Sequence, residues 1–136
     1  MTNDAPHATA GDDAPLSILI ASDYYPPFIG GVQRQTRLLS HELARRGHRV
    51  EVATIWSPGC PEGEMDDGVP VHRLRQTRSL VRSVARPGKH HPLPSPDPVT
   101  VTGLRHVIAR LQPDVVQTFG WFSYSVAAAM RGTSTP

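Results

Sequence analysis

The sequence has a single cysteine, Cys60, in 136 residues. A lone thiol excludes an intrachain disulfide framework and any zinc site built on cysteine pairs. No apolar run approaches the roughly 18 residues that span a bilayer. An excess of either charge is missing too: 14 Lys and Arg stand against 12 Asp and Glu, a net +2, too small to argue for nucleic acid. The opening MTNDAPHATAGDDAP lacks the basic n-region and the apolar h-region of a secretory signal. Residues 1–15 read as a short, disordered acidic tail of a cytoplasmic protein. Proline, by contrast, is plentiful: 14 residues, about 10% of the chain and twice the usual share, which marks long loops. The remaining stretch, 16–136, has material for one core.

Leu16–Ser22 (LSILIAS) is short and almost wholly apolar, as strands buried on both faces of a parallel sheet are. Pro26-Pro27 then stop any regular element. Val32, Thr36, Leu39 and Leu43 recur at helical spacing, with Gln33, Arg34, Arg37, His41 and Arg45 mainly off that stripe. This predicts a helix over about Val32–Arg46, closed by Gly47 in the left-handed conformation that helix ends favour. A second strand is expected at Arg49–Ile55. After a Pro/Gly/acid-rich loop comes a third at Val69–Leu74. Residues 75–98 read as a mobile basic, then Pro-rich, excursion with two helical turns at most. A helix over about Val101–Leu111 buries Leu104, Val107, Ile108 and Leu111. A fourth strand follows at Val115–Thr118, then a last helix capped by Ser123 or Ser125 and running through Ala129 and Met130. The string β-α-β-β-α-β-α implies a doubly wound, mostly parallel Rossmann-like α/β sheet. The fourth strand then keeps an open edge, from which poor solubility is expected.

Gly30-Gly31 falls between the first strand and first helix, where ligands bind in such sheets. A helix N-terminus presents unpaired N–H groups and about half a positive charge, and glycine lets a phosphate approach the backbone closely. A diphosphate seat and a plain tight turn both fit the dipeptide. The loop GGVQRQ is neither G-x-G-x-x-G nor a P-loop.

Between Arg73 and His91 six basic residues occur with no acid. Arg78, Arg82 and Arg86 are four apart and share one face if helical. A solvated loop and a patch for anionic lipid or a phosphorylated acceptor both fit. No aromatics interleave the arginines as a nucleic-acid surface requires. His90-His91 lack a third metal ligand, and Cys60 lacks a basic partner. Trp121 and Phe122 read as packing residues or acceptor contacts. Asp23 ends the first strand as a phospho-acceptor domain's acid does, but Tyr24 follows it and the later acid and lysine are missing.

The stretch ILIASDYYPPFIGGVQRQTRLLSHELARRGHRVEVAT resembles the N-terminal opening of GT-B glycosyltransferases of the family-four-like group. Their pattern is a strand, P-P-x-x-G-G, a helix ending L-x-x-R-G-H, and a strand. GVPVHRL and LQPDVVQTFGWFSYSVAAA resemble later parts of the same domain, so the match runs from about Leu16 to Met130. The resemblance implies transfer of a sugar from a nucleotide-diphospho-sugar donor, with retention and with neither metal nor cofactor. The active site would lie in a cleft between two Rossmann-like domains. Gly30 and Gly31 would contact the donor diphosphate, and Trp121 would line the acceptor side. Gln117-Thr118-Phe119 stands where many members show His-x-His, and Gln33 where many carry Glu. The family's catalytic histidine and its donor-gripping second domain have no counterpart here, so no catalytic residue is assigned in this chain.

Two readings follow. One is the acceptor-side N-terminal part of a glycosyltransferase, whose partners are a nucleotide-sugar, a glycan or lipid acceptor, and a C-terminal Rossmann-like domain. Its expected location is the cytoplasm, peripheral at the membrane inner face if the arginines meet lipid. The other is a truncated, non-catalytic product or binding module of the same fold.

Overall fold

The computed structural model describes residues 14–80 and 94–133. In chain order the elements are β1 (Ser17–Ser22), α1 (Gly31–Arg45), β2 (Arg49–Ile55), β3 (Gly63–Asp66), β4 (Val69–Leu74), a 3-10 turn (Thr77–Leu80), α2 (Pro98–Leu111), β5 (Val115–Phe119) and α3 (Ser123–Ala129). The five strands form one sheet in the order β3-β4-β2-β1-β5. β1 pairs parallel with β2 and β5, and β2 with β4, whereas β3 runs antiparallel to β4. The doubly wound, mostly parallel sheet is as expected.

The alternation along β1 explains why both faces are covered. Ile18 and Ile20 point to one side with Val50, Val52, Val69 and Val71, against Leu39 and Leu43 of α1. Leu19 and Ala21 point to the other with Ala53 and Ile55, against α2 and α3. Successive side chains of a strand face opposite ways, so an unbroken apolar run is what a sheet with helices on both sides requires.

Several boundaries differ from the sequence reading, each for a local reason. The loop expected before the third strand contains β3, whose hairpin with β4 closes at Asp67-Gly68, both at positive φ (47° and 85°). Two left-handed central residues are the backbone of a type I′ turn, which Asp-Gly favours. α2 begins at Pro98, three residues before the expected start, because the Asp97 carboxylate accepts from the Thr100 N–H at 3.0 Å. Pro98 loses nothing at the first helical position, where its missing N–H would be unpaired anyway.

The stripe expected on α1 holds at Thr36, Leu39 and Leu43 and fails at Val32. Gln33, Thr36 and Ser40 are buried, while Val32 and Leu38 are exposed. Thr36 Oγ1 lies 3.3 Å from Ser22 Oγ at the end of β1 and donates to the Val32 carbonyl at 2.8 Å. Small polar side chains therefore mark the closest approach of helix to sheet. Gly47 has the expected positive φ of 93°, and Gly47 N–H and His48 N–H bond the Ala44 and Leu43 carbonyls at 3.0 and 3.2 Å. That pair of bonds is a Schellman closure. Neither Ser123 nor Ser125 caps α3: its N-cap position is Phe122 and no side chain of its own segment serves it. Of the excursion expected over 75–98, Thr77–Leu80 forms the 3-10 turn, and residues 81–93 lie outside the described residues, as does most of the tail.

Candidate functional site

The carboxyl ends of β1, β2, β4 and β5 lie along one edge of the sheet, and the loops leaving that edge build the site. After β1 the chain runs through Asp23–Ile29 to Gly30, the N-cap of α1, whose extended backbone (φ 172°, ψ 168°) any residue could adopt. A side chain at position 30 would have to push aside the end of Gln33. A Cβ there would lie 2.3 Å from Gln33 Oε1, because the buried Gln33 side chain folds back over it. Gly31, the first helical residue, faces open space, with no atom within 4 Å of the place a Cβ would occupy. No side chain caps this helix, and its first turn carries no acid. The tip borders a cleft of about 440 Å³ walled by Pro26, Phe28, Gly31, Gln33, Arg34 and Arg37. That lining includes guanidinium, amide and backbone groups but neither a carboxylate nor an imidazole. Such a lining offers hydrogen-bond donors and positive charge to an electron-rich group.

The loop is braced from the β3–β4 hairpin. Asp66 accepts from the Tyr25 hydroxyl at 2.7 Å and from Arg37 Nε and Nη2 at 2.8 Å each. The Arg37 hydrogen bonds outweigh partial burial and lower the Asp66 carboxyl to about 2. Burial, then the bond to Asp66, pushes the Tyr25 phenol well above its usual range. His41 Nε2 lies 3.3 Å from Asp66 Oδ2, off the line of a hydrogen bond. With Asp67 these groups have the proximity of a cation site. The Arg37 guanidinium already occupies both Asp66 oxygens, so an ion pair accounts for the cluster. Arg73 of β4 donates from Nη2 to the Pro26 carbonyl at 2.6 Å and to the Glu64 carboxylate.

The turn after β5 is built differently. Asp23 is buried, and its carboxylate accepts from the Trp121 and Phe122 N–H groups at 3.1 and 2.7 Å, from 98 and 99 residues away. Gly120 makes this contact possible: its φ is 81°, and a Cβ would lie 2.1 Å from Asp23 Oδ2. Asp23, weighed as the first-strand acid of a phospho-receiver domain, instead ties down the turn that leads into α3. Phe122 is buried in the core, while Trp121 is 53% exposed beside Tyr124, ring centroids 6.4 Å apart. β5 lies next to β1, so Trp121 and the glycine tip leave the same edge from neighbouring strands.

Of the arginines read as a patch, Arg78 lies in the 3-10 turn, close enough to Tyr24 for its charge to pull that phenol down against the larger effect of burial. Arg82 and Arg86 lie outside the described residues, as do His90 and His91. No helix among the described residues is long and apolar enough to cross a membrane. Asp66 and Tyr25 escaped the sequence reading, and Arg73, counted there with the basic stretch, is instead buried in β4. The Asp67-Gly68 dipeptide is the signal that would have placed the hairpin, and with it Asp66.

Comparison with known proteins agrees with this geometry. The family described as glycosyl transferase 4-like domain matches residues 30–136. Among solved structures, the catalytic domain of starch synthase IV from Arabidopsis thaliana, bound to ADP and acarbose, superposes with a TM-score of 0.67 at 14% identity, over 90% of this chain and 31% of that one. Sucrose-phosphate synthase from Thermosynechococcus elongatus superposes with a TM-score of 0.58 at 20% identity, over 85% of this chain and 30% of that one. At these identities the likeness is one of fold. The chain spans about a third of the length of either neighbour. No curated protein matches the sequence significantly.

Proposed function

We propose, from the premise that this chain belongs to the glycosyl transferase 4-like domain family, that it forms one wall of a site transferring a sugar from a nucleotide-diphospho-sugar with retention of configuration. Gly30 and Gly31 seat the donor diphosphate at the tip of α1, and Trp121 lines the acceptor side. A second Rossmann-like domain supplies the facing wall and the groups that move protons.

The observation that carries this reading is the open, uncapped N-terminus of α1, with Gly31 bare at the ligand-binding edge of the sheet. Amides in the first turn can donate to phosphate oxygens, and the helix end adds about half a positive charge. The seat so made needs neither a metal nor a cofactor to hold the diphosphate. That the starch synthase neighbour binds ADP supports a nucleoside diphosphate as the moiety held. The acceptor is a glycan or a lipid.

Titrating the chain with ADP, UDP and pyrophosphate while following backbone amides by NMR tests the seat. The Gly31 and Val32 signals should move saturably, and Gly31→Glu, which places a carboxylate at the tip, should weaken pyrophosphate by about tenfold or more. Unmoved signals at these two residues would overturn the assignment. This chain alone should transfer no sugar from any donor, because one wall cannot exclude water or position both reactants. Measurable turnover by it would contradict the two-domain site. The binding-module reading keeps one supporting feature, the absence of any carboxylate or imidazole from the lining of the tip cleft.

A further inference from the structure

Beyond the Pro26–Pro27 corner from the glycine tip lies a second cleft, of about 400 Å³, walled by Tyr25, Pro26, Cys60, Glu64, Met65 and Arg73. Arg73 is the most deeply buried of the Arg, Asp and Glu residues among those described, its side chain 1% exposed. Only Nη2 finds acceptors, the Pro26 carbonyl and the Glu64 carboxylate. Nε and Nη1 are buried without a hydrogen-bond partner. A buried guanidinium short of acceptors is costly, and its planar fork matches the oxygens of a phosphate or carboxylate.

The two arms of this contact differ in mobility. Arg73 is fixed by burial and by the Pro26 carbonyl. Glu64 is 34% exposed and sits on β3, at the margin of the sheet, so it can swing into water. The other charges at the cleft, Arg37 and Asp66, neutralise each other through two hydrogen bonds. Exchanging the Glu64 carboxylate for an external oxyanion would leave the charge balance unchanged and could bring acceptors to the nitrogens that lack them.

We propose that this cleft binds an oxyanion, a phosphate or carboxylate group carried by the acceptor, on Arg73, with Glu64 as the internal carboxylate that it displaces. The word "acceptor" rests on the transferase reading above; the anion site itself does not. It lies apart from the glycine tip, so the two can be tested separately.

The experiment is an NMR titration of the chain with inorganic phosphate and with acetate at constant ionic strength, following the Arg73 Nε–H and Gly31 N–H signals. A saturable shift of the Arg73 signal is expected. In Glu64→Gln, which keeps the shape but removes the competing charge, half-saturation should fall about tenfold, the worth of one charged hydrogen bond. Tighter binding of phosphate than of acetate assigns a phosphorylated group, and the reverse order a carboxylate. An Arg73 signal that neither anion moves, or a Glu64→Gln protein that binds no tighter than the parent, overturns the proposal. A phosphate shift at Gly31 alone overturns it while leaving the diphosphate seat standing; a shift at Arg73 alone does the opposite. Glu64→Gln leaves the core untouched, so the test does not depend on whether Arg73→Met folds.

Discussion

Two loops leave the same edge of the sheet from neighbouring strands, and each is held by a carboxylate that is distant in sequence. After β5, the Asp23 carboxylate takes up the amides of Trp121 and Phe122 directly. After β1, Asp66 instead grips side chains, the Tyr25 hydroxyl and the Arg37 guanidinium, and leaves the first turn of α1 without a side-chain cap. Both loops are ordered by the same kind of contact, yet in one the carboxylate takes the two amides that lead into α3 and in the other it takes side-chain donors and no amide of α1. A loop held from behind through its side chains leaves the amides of the following first turn uncapped, which is what a ligand seat there would require.

The largest effect should come from Gly120. Gly120→Ala combines a positive φ with a Cβ placed 2.1 Å from Asp23 Oδ2, and should cost about 3 kcal/mol by urea denaturation. Asp23→Ala leaves two amides without their acceptor, for about 2 kcal/mol. Because the two changes meet at one contact, the double mutant should lose clearly less than their sum. Additive losses would show that Asp23 and Gly120 act independently.

A smaller effect separates the other loop by pH. The Asp66 carboxyl is lowered from 3.8 to about 2 in the folded state. An acid depressed by folding stabilises the protein above its unfolded pKa and loses that contribution as pH falls through the folded one. Stability should therefore drop as pH falls from 3.8 towards 2, and Asp66→Asn should flatten this part of the profile. An unchanged slope in Asp66→Asn would mean that other acids brace the loop.

The smallest effect belongs to Gly31. Its Cβ position is empty and its backbone helical, so Gly31→Ala should change stability by about 1 kcal/mol or less, in the stabilising direction. A loss comparable to that of Gly120→Ala would erase the distinction between the loops.

Elements whose signal is local were legible in the sequence. β1 announces itself as an apolar run, β2 by its alternating Val50 and Val52, α2 by Leu104, Val107, Ile108 and Leu111 on one stripe, and the end of α1 by Gly47. β3 was hidden because Gly63–Asp66 is short, polar and at the margin of the sheet, so no buried face imposes a pattern on it. The burial of Gln33 and Ser40 on α1 was hidden because both are polar, and hydrophobic periodicity cannot register them. Of the site, the glycine pair was visible as a turn before a helix. Its bracing was not, since Tyr25–Asp66, Pro26–Arg73 and Asp23–Phe122 join residues 41, 47 and 99 positions apart.

The two margins of the sheet differ in charge. β3 closes one side with two carboxylates in four residues, Glu64 and Asp66, whereas β5 closes the other with Val-Val-Gln-Thr-Phe, which has none. Among the described residues β5 pairs only with β1, so an arriving extended segment meets neutral side chains there and, at β3, two carboxylates already engaged in ion pairs with Arg73 and Arg37. Extending the sheet past β5 would therefore displace only water, whereas extending it past β3 would also strip water from two ion pairs.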